Sequence, residues 1–124
     1  MSPRKEMPAP AAEPESVHSN EVILVGRLAQ EPQERELPSG DVLCTFRLVV
    51  DRAGAARSRQ TVDAVECVAW SPRLRRTVGT WRPGDVVRVE GALRRRFFRT
   101  SGSVASRVEV EAVRARVVRR AARA

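Results

Sequence analysis

Arginine and phenylalanine side chains alternate with aliphatic ones along residues 86–99, VVRVEGALRRRFFR. Successive side chains of a β-strand point to opposite faces, so this segment predicts a strand with two different surfaces. The predicted core face carries Val87, Val89, Leu93 and Phe97, with Arg95 and Arg99 at its far end. The opposite, open face carries Arg88, Glu90, Arg94, Arg96 and Phe98. Guanidinium groups beside an open aromatic ring can neutralise a nucleic-acid backbone and stack on an unpaired base, so the segment indicates nucleic-acid binding.

The positive charge of the chain is concentrated near its C-terminal end. The 124 residues have a formal net charge of +8. Residues 92–124 hold ten arginines and two glutamates and account for the whole excess. This concentration favours a polyanion, and nucleic acid fits better than a membrane because no amphipathic stripe of Trp, Phe and Leu accompanies it. Lys5 is the only lysine, however, and a GC-rich genome produces such an arginine-rich composition whatever the function.

The chain divides into a polar arm, one domain and a short tail. Residues 1–19 have almost no large apolar side chain, which predicts a disordered arm. Residues 20–118 have the length of one small domain with a single core. Residues 119–124 predict a short, basic, frayed tail. No signal-peptide pattern opens the chain and no apolar run is long enough to span a membrane, so we expect a cytoplasmic, nucleoid-associated protein.

Apolar segments separated by turn signals predict strands around one core. The expected strands are residues 21–28, 42–51, 62–70, 86–99 and 104–118, with a further short strand before the turn at residues 38–41. In the first strand, Gly26 predicts a bulge or a close backbone approach. Core positions by alternation are Cys44, Phe46, Leu48 and Val50 in the second strand, and Val65, Cys67 and Ala69 in the third. The two cysteines have no metal or redox spacing and are expected to be buried free thiols.

A helix is predicted between the third and fourth strands. Ser71 is a suitable N-cap and Pro72 a suitable first helical residue. The apolar stripe of this helix consists of Leu74, Val78 and Trp81. Five strands with a helix at this point predict an all-β fold class, a five-stranded OB-fold barrel with one short α-helix between strands 3 and 4.

Several segments resemble the bacterial single-stranded DNA-binding protein family, in the same order and at similar spacings. They are NEVILVGRLAQEP at 20–32, LPSG at 37–40, CTFRLVV at 44–50, ECVAW at 66–70 and WRPGDVVRVEGALR at 81–94. The resemblance covers residues 20–115 with few gaps. It implies an OB-fold homotetramer that binds single-stranded DNA without reading its sequence and protects it during replication, recombination and repair.

The resemblance also assigns roles to individual positions. Trp70 and Phe98 match stacking aromatic residues, while Arg73, Arg94 and Arg96 match basic positions that contact the DNA backbone. Two further stacking positions are Ala64 and Gly54 here, so we expect fewer stacked bases and a greater reliance on arginine. Further DNA-binding candidates, taken from predicted open faces and loops, are Arg27, Arg47, Arg52, Arg59 and Arg107. Glu66 also falls on the open face, where its role would be to orient a neighbouring arginine.

The first strand predicts assembly. Residues 22–25 are apolar on both faces, although a small barrel can bury only one face of a strand. In the family this strand pairs with its symmetry mate, which also covers an open edge. We therefore expect a homotetramer with its dimer seam at residues 21–26. The family's long tail with an acidic, Phe-terminated tip is missing, so recruitment of repair enzymes is not expected.

Other functions remain open at this point. An RNA-binding OB-fold module of translation or transcription would have similar features, as would a structural OB domain of a protein complex. A nuclease would need Mg²⁺ ligands, for which the carboxylates of Asp41, Asp51, Asp63 and Asp85 are the candidates, but three of them occupy turns or hairpin ends. The only histidine, His18, lies in the predicted arm. We therefore expect a binding protein with no catalytic residues, no metal and no cofactor.

Overall fold

A computed structural model describes residues 17–54 and 59–122, so the predicted arm lies outside the described residues up to residue 16. The described chain forms six strands and one helix. Their bounds are β1 (Val22–Leu28), β2 (Gln33–Glu36), β3 (Val42–Asp51), β4 (Val62–Ala69), α1 (Pro72–Gly79), β5 (Val86–Thr100) and β6 (Ser103–Arg119). Most segments agree with the sequence prediction, and β2 is the short strand expected before the turn at residues 38–41.

The long strands close into a barrel. The sheet order is β1-β5-β6-β4-β3-β2, and β1 also pairs with β3 at Arg27–Val49 and Leu28–Leu48. This second pairing joins the two sides of the sheet, so five strands form the barrel and β2 lies outside it on the edge of β3. β4 and β6 run parallel, and the other pairs are antiparallel. The predicted five-stranded barrel with a helix between its third and fourth long strands is confirmed.

The core and the helix follow the predicted alternation. Ser71 accepts a hydrogen bond from the backbone N–H of Leu74 at 3.1 Å, which begins α1 at Pro72. The helix then buries Leu74 and Val78, and Trp81 just beyond it is 1% exposed. Trp81 meets Phe46 of β3 edge to face, with ring centroids 5.4 Å apart. This packing anchors the helix to the barrel core.

Gly26 marks a close approach between backbones, as the sequence predicted. A Cβ atom at this position would lie 2.5 Å from the carbonyl oxygen of Val49. No side chain fits in that space, so glycine allows β1 to reach β3 at the point where the barrel closes.

The prediction that Leu93 and Phe97 belong to the core is wrong. Leu93 is 48% exposed and Phe97 is 69% exposed, whereas Val87 and Val89 on the same face of β5 are fully buried. The reason is that β1 pairs with β5 only as far as Gly91. Beyond it, β5 and β6 continue as a two-stranded hairpin arm, residues 93–108, and no second layer formed by the described residues buries its predicted core face.

The prediction of a frayed tail is also wrong for the described part. Arg119 ends β6, and the next residues are tied to the buried carboxylate of Asp85. Asp85 accepts hydrogen bonds from the guanidinium of Arg120 at 3.1 Å and from the backbone N–H of Ala121 at 2.8 Å. It also accepts one from the backbone N–H of Arg82 at 2.9 Å, so one carboxylate joins the turn before β5 to the end of the chain.

Asp85→Asn is expected to destabilise the domain at neutral pH by on the order of 2 kcal/mol, because it removes charge-assisted hydrogen bonds inside the fold. Burial raises the pKa of Asp85, but the hydrogen bonds from Ala121, Arg82 and Arg120 outweigh it and lower the pKa below its usual value. A carboxylate with a lowered pKa stabilises the fold above its unfolded pKa of about 3.9 and stops doing so as pH falls through its folded pKa.

Thermal unfolding of Asp85→Asn and the unchanged protein should be compared from pH 7 to acid pH. The difference in Tm should be largest at neutral pH and shrink below about pH 4. A difference that stays constant into acid would show that the charge of Asp85 does not contribute to stability.

Candidate nucleic-acid interface

One face of the sheet brings together most of the predicted binding residues. β5, β6, β4 and β3 lie side by side in that order. Cross-strand partners share a face of a sheet, so the pairings of β5 with β6, of β6 with β4 and of β4 with β3 define one surface. Trp70, which follows β4, joins this surface through its contact with Arg96. We call it the candidate face, and its members are Arg47, Glu66, Trp70, Arg94, Arg96, Phe98, Arg107, Glu109 and Glu111.

Trp70 is half-buried at the end of β4 and lies beneath an arginine. The guanidinium of Arg96 is 5.3 Å from the centroid of the Trp70 ring, a cation–π contact. Arg96 is held there by Glu109, whose carboxylate accepts from Nε at 2.6 Å. The backbone carbonyl of Trp70 accepts a hydrogen bond from Nε of Arg75 at 3.1 Å, which holds the backbone of Trp70 in place. The result is a flat aromatic and guanidinium surface suited to stacking.

Phe98 forms a second such pair on the hairpin arm. Its side chain is 42% exposed, and the guanidinium of Arg107 lies 5.4 Å from its ring centroid. Phe98 borders a groove of about 200 Å³ between the arm and β3, and Phe97 borders the same groove. Phe98 is the one of the two that shares its face with Arg94 and Arg96, because alternate residues of a strand share a face.

Three of the four arginines of the candidate face are paired with carboxylates. Arg47 contacts Glu66 at 2.5 Å, and Arg94 contacts Glu111 at 2.8 Å. Glu66 therefore does orient a neighbouring arginine, as the sequence suggested. Arg107 has no ion pair among the described residues and contacts Phe98 instead.

The remaining candidates are more scattered. Arg27 is exposed on β1 opposite Val49, two residues from Arg47 along β3. Arg52 makes two hydrogen bonds to Asp63, at 3.0 and 2.8 Å, and these lower the pKa of the Asp63 carboxyl. Arg59 is exposed next to residues 55–58, which are outside the described residues.

Arg73 lies apart from the aromatic pairs. It is exposed on α1 and lines a separate cavity together with Arg114. The structure therefore groups Arg27, Arg47, Arg94, Arg96 and Arg107 with the aromatic residues on the outer surface of the sheet, and leaves Arg73 on the helix.

Sequence reasoning did not find Glu109 and Glu111. Both lie on the candidate face of β6, and Glu109 is only 8% exposed. The signal was present, because Glu109 and Glu111 alternate with Val110 and Ala112, which are buried in the core. Their partners could not be found in the same way, since these depend on the register between β5 and β6.

The comparison with known proteins decides the family. Residues 19–118 match the profile of the Single-strand binding protein family. The chain belongs to this family. Single-stranded DNA-binding proteins of Bacillus cereus and Bacillus anthracis are each 35% identical to it over 100 residues, which is 80% of this chain. The chain spans 58% of the length of the B. cereus protein and 57% of the B. anthracis protein.

A solved structure supports the fold. The Plasmodium falciparum SSB in its complex with ssDNA matches with a TM-score of 0.67 and 22% sequence identity. The match covers 85% of this chain and 97% of the P. falciparum chain. At this identity the likeness shows that the two chains share a fold.

In this member of the single-strand binding protein family, the candidate face consists of aromatic and charged side chains. Within residues 17–54 and 59–122, no three metal-ligating residues form a cluster, and no helix is long and apolar enough to cross a membrane.

Cys44 and Cys67 are buried thiols, as predicted. Burial raises the pKa of Cys67 to about 12, so this thiol is protonated and unreactive at neutral pH.

Proposed function

We propose that this chain binds single-stranded DNA without reading its sequence and protects it during replication, recombination and repair. The observation that carries the proposal is the pair of aromatic rings on one sheet face, Trp70 beneath Arg96 and Phe98 beneath Arg107. The names of the B. cereus and B. anthracis relatives support it. Residues 20–118 would form the DNA-binding domain, and the nucleoid is the location that this function implies.

The chemistry of the face suits a single strand of any sequence. Every base has a π-face, so stacking on Trp70 and Phe98 does not select a base, and each stacked base contributes about 1 to 3 kcal/mol. Arg47, Arg94 and Arg96 lie on the same face of the sheet as the rings, where they can contact phosphates. Binding of this kind needs no catalytic group, and the proposed role is that of a binding protein and not of an enzyme.

The other predicted arginines lie along the outer part of the surface that we propose the DNA strand follows. Arg27 continues the surface beyond Arg47, and Arg107 contributes through its contact with Phe98. Arg52, Arg59 and Arg73 lie at its margins and are expected to contribute less. Arg52 in particular has to release Asp63 before its full guanidinium can meet a phosphate.

Oligo(dT) is expected to quench the tryptophan fluorescence, because a base stacked on Trp70 alters its excited state. Trp81 is 1% exposed, so its emission should be unaffected. The experiment is a fluorescence titration of the unchanged protein and of Trp70→Phe, with binding followed in parallel by anisotropy of labelled oligo(dT). Trp70→Phe should bind DNA and lose most of the quenching.

Unchanged emission at saturating DNA, or full quenching in Trp70→Phe, would contradict the stacking role of Trp70. The same titration with oligo(U) and with duplex DNA at one salt concentration tests the choice of partner. Single-stranded DNA should bind most tightly, and tighter binding of oligo(U) would favour an RNA-binding module instead.

A further inference from the structure

Three arginines of the candidate face use the same atom to contact their carboxylates. Arg47, Arg94 and Arg96 each donate from Nε, at 2.5, 2.8 and 2.6 Å, to Glu66, Glu111 and Glu109 respectively. Nε is the inner nitrogen of the guanidinium group. A guanidinium has five N–H donors, so the two terminal NH₂ groups of each arginine remain available. Arg52 differs, because it also gives Nη2 to Asp63.

The three pairs form an ordered arrangement across the sheet. The outer strands β5 and β3 carry the arginines, and the inner strands β6 and β4 carry the glutamates. The glutamate side chain is less exposed than the arginine side chain in every pair, and the contrast is strongest where the side chain of Glu109 is 10% exposed and that of Arg96 is 43% exposed. Carboxylates therefore lie low on the surface, with the guanidinium groups above them.

We infer that Glu66, Glu109 and Glu111 are positioning residues for DNA binding. Each holds a guanidinium through Nε, so that the terminal NH₂ groups are already oriented when a phosphate arrives. A free arginine loses rotamer freedom when it binds a phosphate, which weakens binding. An arginine that a glutamate already holds has lost this freedom on folding, so binding costs less. A guanidinium so held can still offer two parallel N–H donors to one phosphate, the strongest geometry for this contact. The inference rests on the proposed function.

The positioning role and simple electrostatics predict opposite changes in DNA affinity when one of these glutamates is removed. A carboxylate under a DNA path repels phosphates, and its removal should tighten binding if charge alone matters. Salt screens the repulsion between exposed charges over a distance of about 8 Å at physiological concentration, and this distance becomes shorter as the salt concentration rises. Orientation of the guanidinium is not screened in this way. The two effects therefore separate when affinity is measured against salt concentration.

Glu111→Ala is expected to weaken oligo(dT) binding about threefold at roughly 0.3 M salt, although it removes a negative charge. Glu111→Gln keeps an oxygen acceptor for Nε of Arg94 and should bind at least as tightly as the unchanged protein. The matched control is Glu31→Ala, which removes the same charge from an exposed residue without an ion pair among the described residues. This control should bind no more weakly than the unchanged protein.

Glu109 needs a milder change because it is buried. Glu109→Gln should keep its contact with Arg96 and bind DNA without loss, with the Tm measured to confirm that the domain is folded. The inference is overturned if Glu111→Ala binds as tightly as the unchanged protein, or more tightly, at high salt. It is equally overturned if Glu111→Gln loses as much affinity as Glu111→Ala.

A double variant, Arg94→Ala with Arg96→Ala, tests the proposed function separately. Removing both Arg94 and Arg96 should flatten the plot of log K against log salt by about 1.4 for each protomer engaged, since each phosphate contact contributes about 0.7. An unchanged slope would remove these arginines from the proposed DNA site, and the positioning role with them. A flatter slope together with normal binding by Glu111→Ala would overturn the positioning role alone.

Discussion

Phe98→Ala is expected to weaken binding of oligo(dT) by about 1 to 3 kcal/mol, on the order of 5- to 150-fold, without unfolding the domain. The ring is 42% exposed and lies on the hairpin arm, outside the barrel core. Its removal therefore leaves no cavity in the core, and the loss should come from an unstacked base. The contact with Arg107 is lost at the same time, which leaves that guanidinium without its aromatic partner.

The neighbouring residue supplies the matched control. Phe97→Ala removes the same ring one position earlier, from the opposite face of β5, which carries none of the predicted DNA-binding residues, although the Phe97 ring also borders the groove beside Phe98. Affinity should fall clearly less than for Phe98→Ala, and both variants should keep the Tm of the unchanged protein. Equal losses of affinity would mean that both faces of the arm contact DNA. A large fall in Tm for Phe98→Ala would place its ring in the core instead.

Alternation along a strand predicted the core only where a second layer exists to cover it. Val87 and Val89 are predicted core residues and are buried, because that face of β5 points into the barrel, where the other residues of the core cluster pack against it. Leu93 and Phe97 have the same parity and are exposed. Arg95 and Arg99 on the same face are a local sign that its far end is not buried. They do not fix the point at which β5 leaves the barrel, since that point depends on where the pairing with β1 ends.

The binding site, like the core, was predicted only as far as patterns within single strands allow. Trp70, Phe98, Arg94 and Arg96 follow from alternation within single strands and from the family resemblance. The carboxylates that hold the arginines depend on register between strands. β6 contains irregularities opposite Val86/Val87 and Glu90/Gly91, and the second of them sets which residues of β6 lie beside Arg94 and Arg96. A shift of one residue in this register would move Glu109 and Glu111 to the other face.

The aromatic content of the chain limits how the face can bind. The chain has three phenylalanines, two tryptophans and no tyrosine. Phe46 and Trp81 are used by the core, which leaves Trp70, Phe97 and Phe98 for the surface. Ala64, at a position matching a stacking residue of the family, is exposed on β4 and offers no ring. A larger share of the affinity should then come from arginine, which makes binding strongly dependent on salt.

Ile23→Arg is expected to break the proposed homotetramer while leaving the barrel folded. Ile23 and Val25 point outward from β1 and are 59% and 48% exposed, whereas Val22 and Leu24 pack against the core. Within the described residues, positions 22–26 of β1 pair with β5 on one edge, and pairing with β3 begins only at Arg27. An unpaired edge with an apolar face beside it is suited to pairing with a second copy of the strand.

Leu24→Arg is the contrasting change, because it places a charge in the core and should prevent folding. Light scattering with circular dichroism separates the outcomes. The unchanged protein should have about four times the chain mass of 13.8 kDa. The Ile23→Arg variant should have a lower mass by light scattering and an unchanged circular dichroism spectrum. The reason is that the new guanidinium would be buried at the dimer seam next to the same group of the second copy. An unchanged protein that is a stable 13.8 kDa monomer at micromolar concentration would rule out the tetramer, and the exposed face of β1 would then require another explanation.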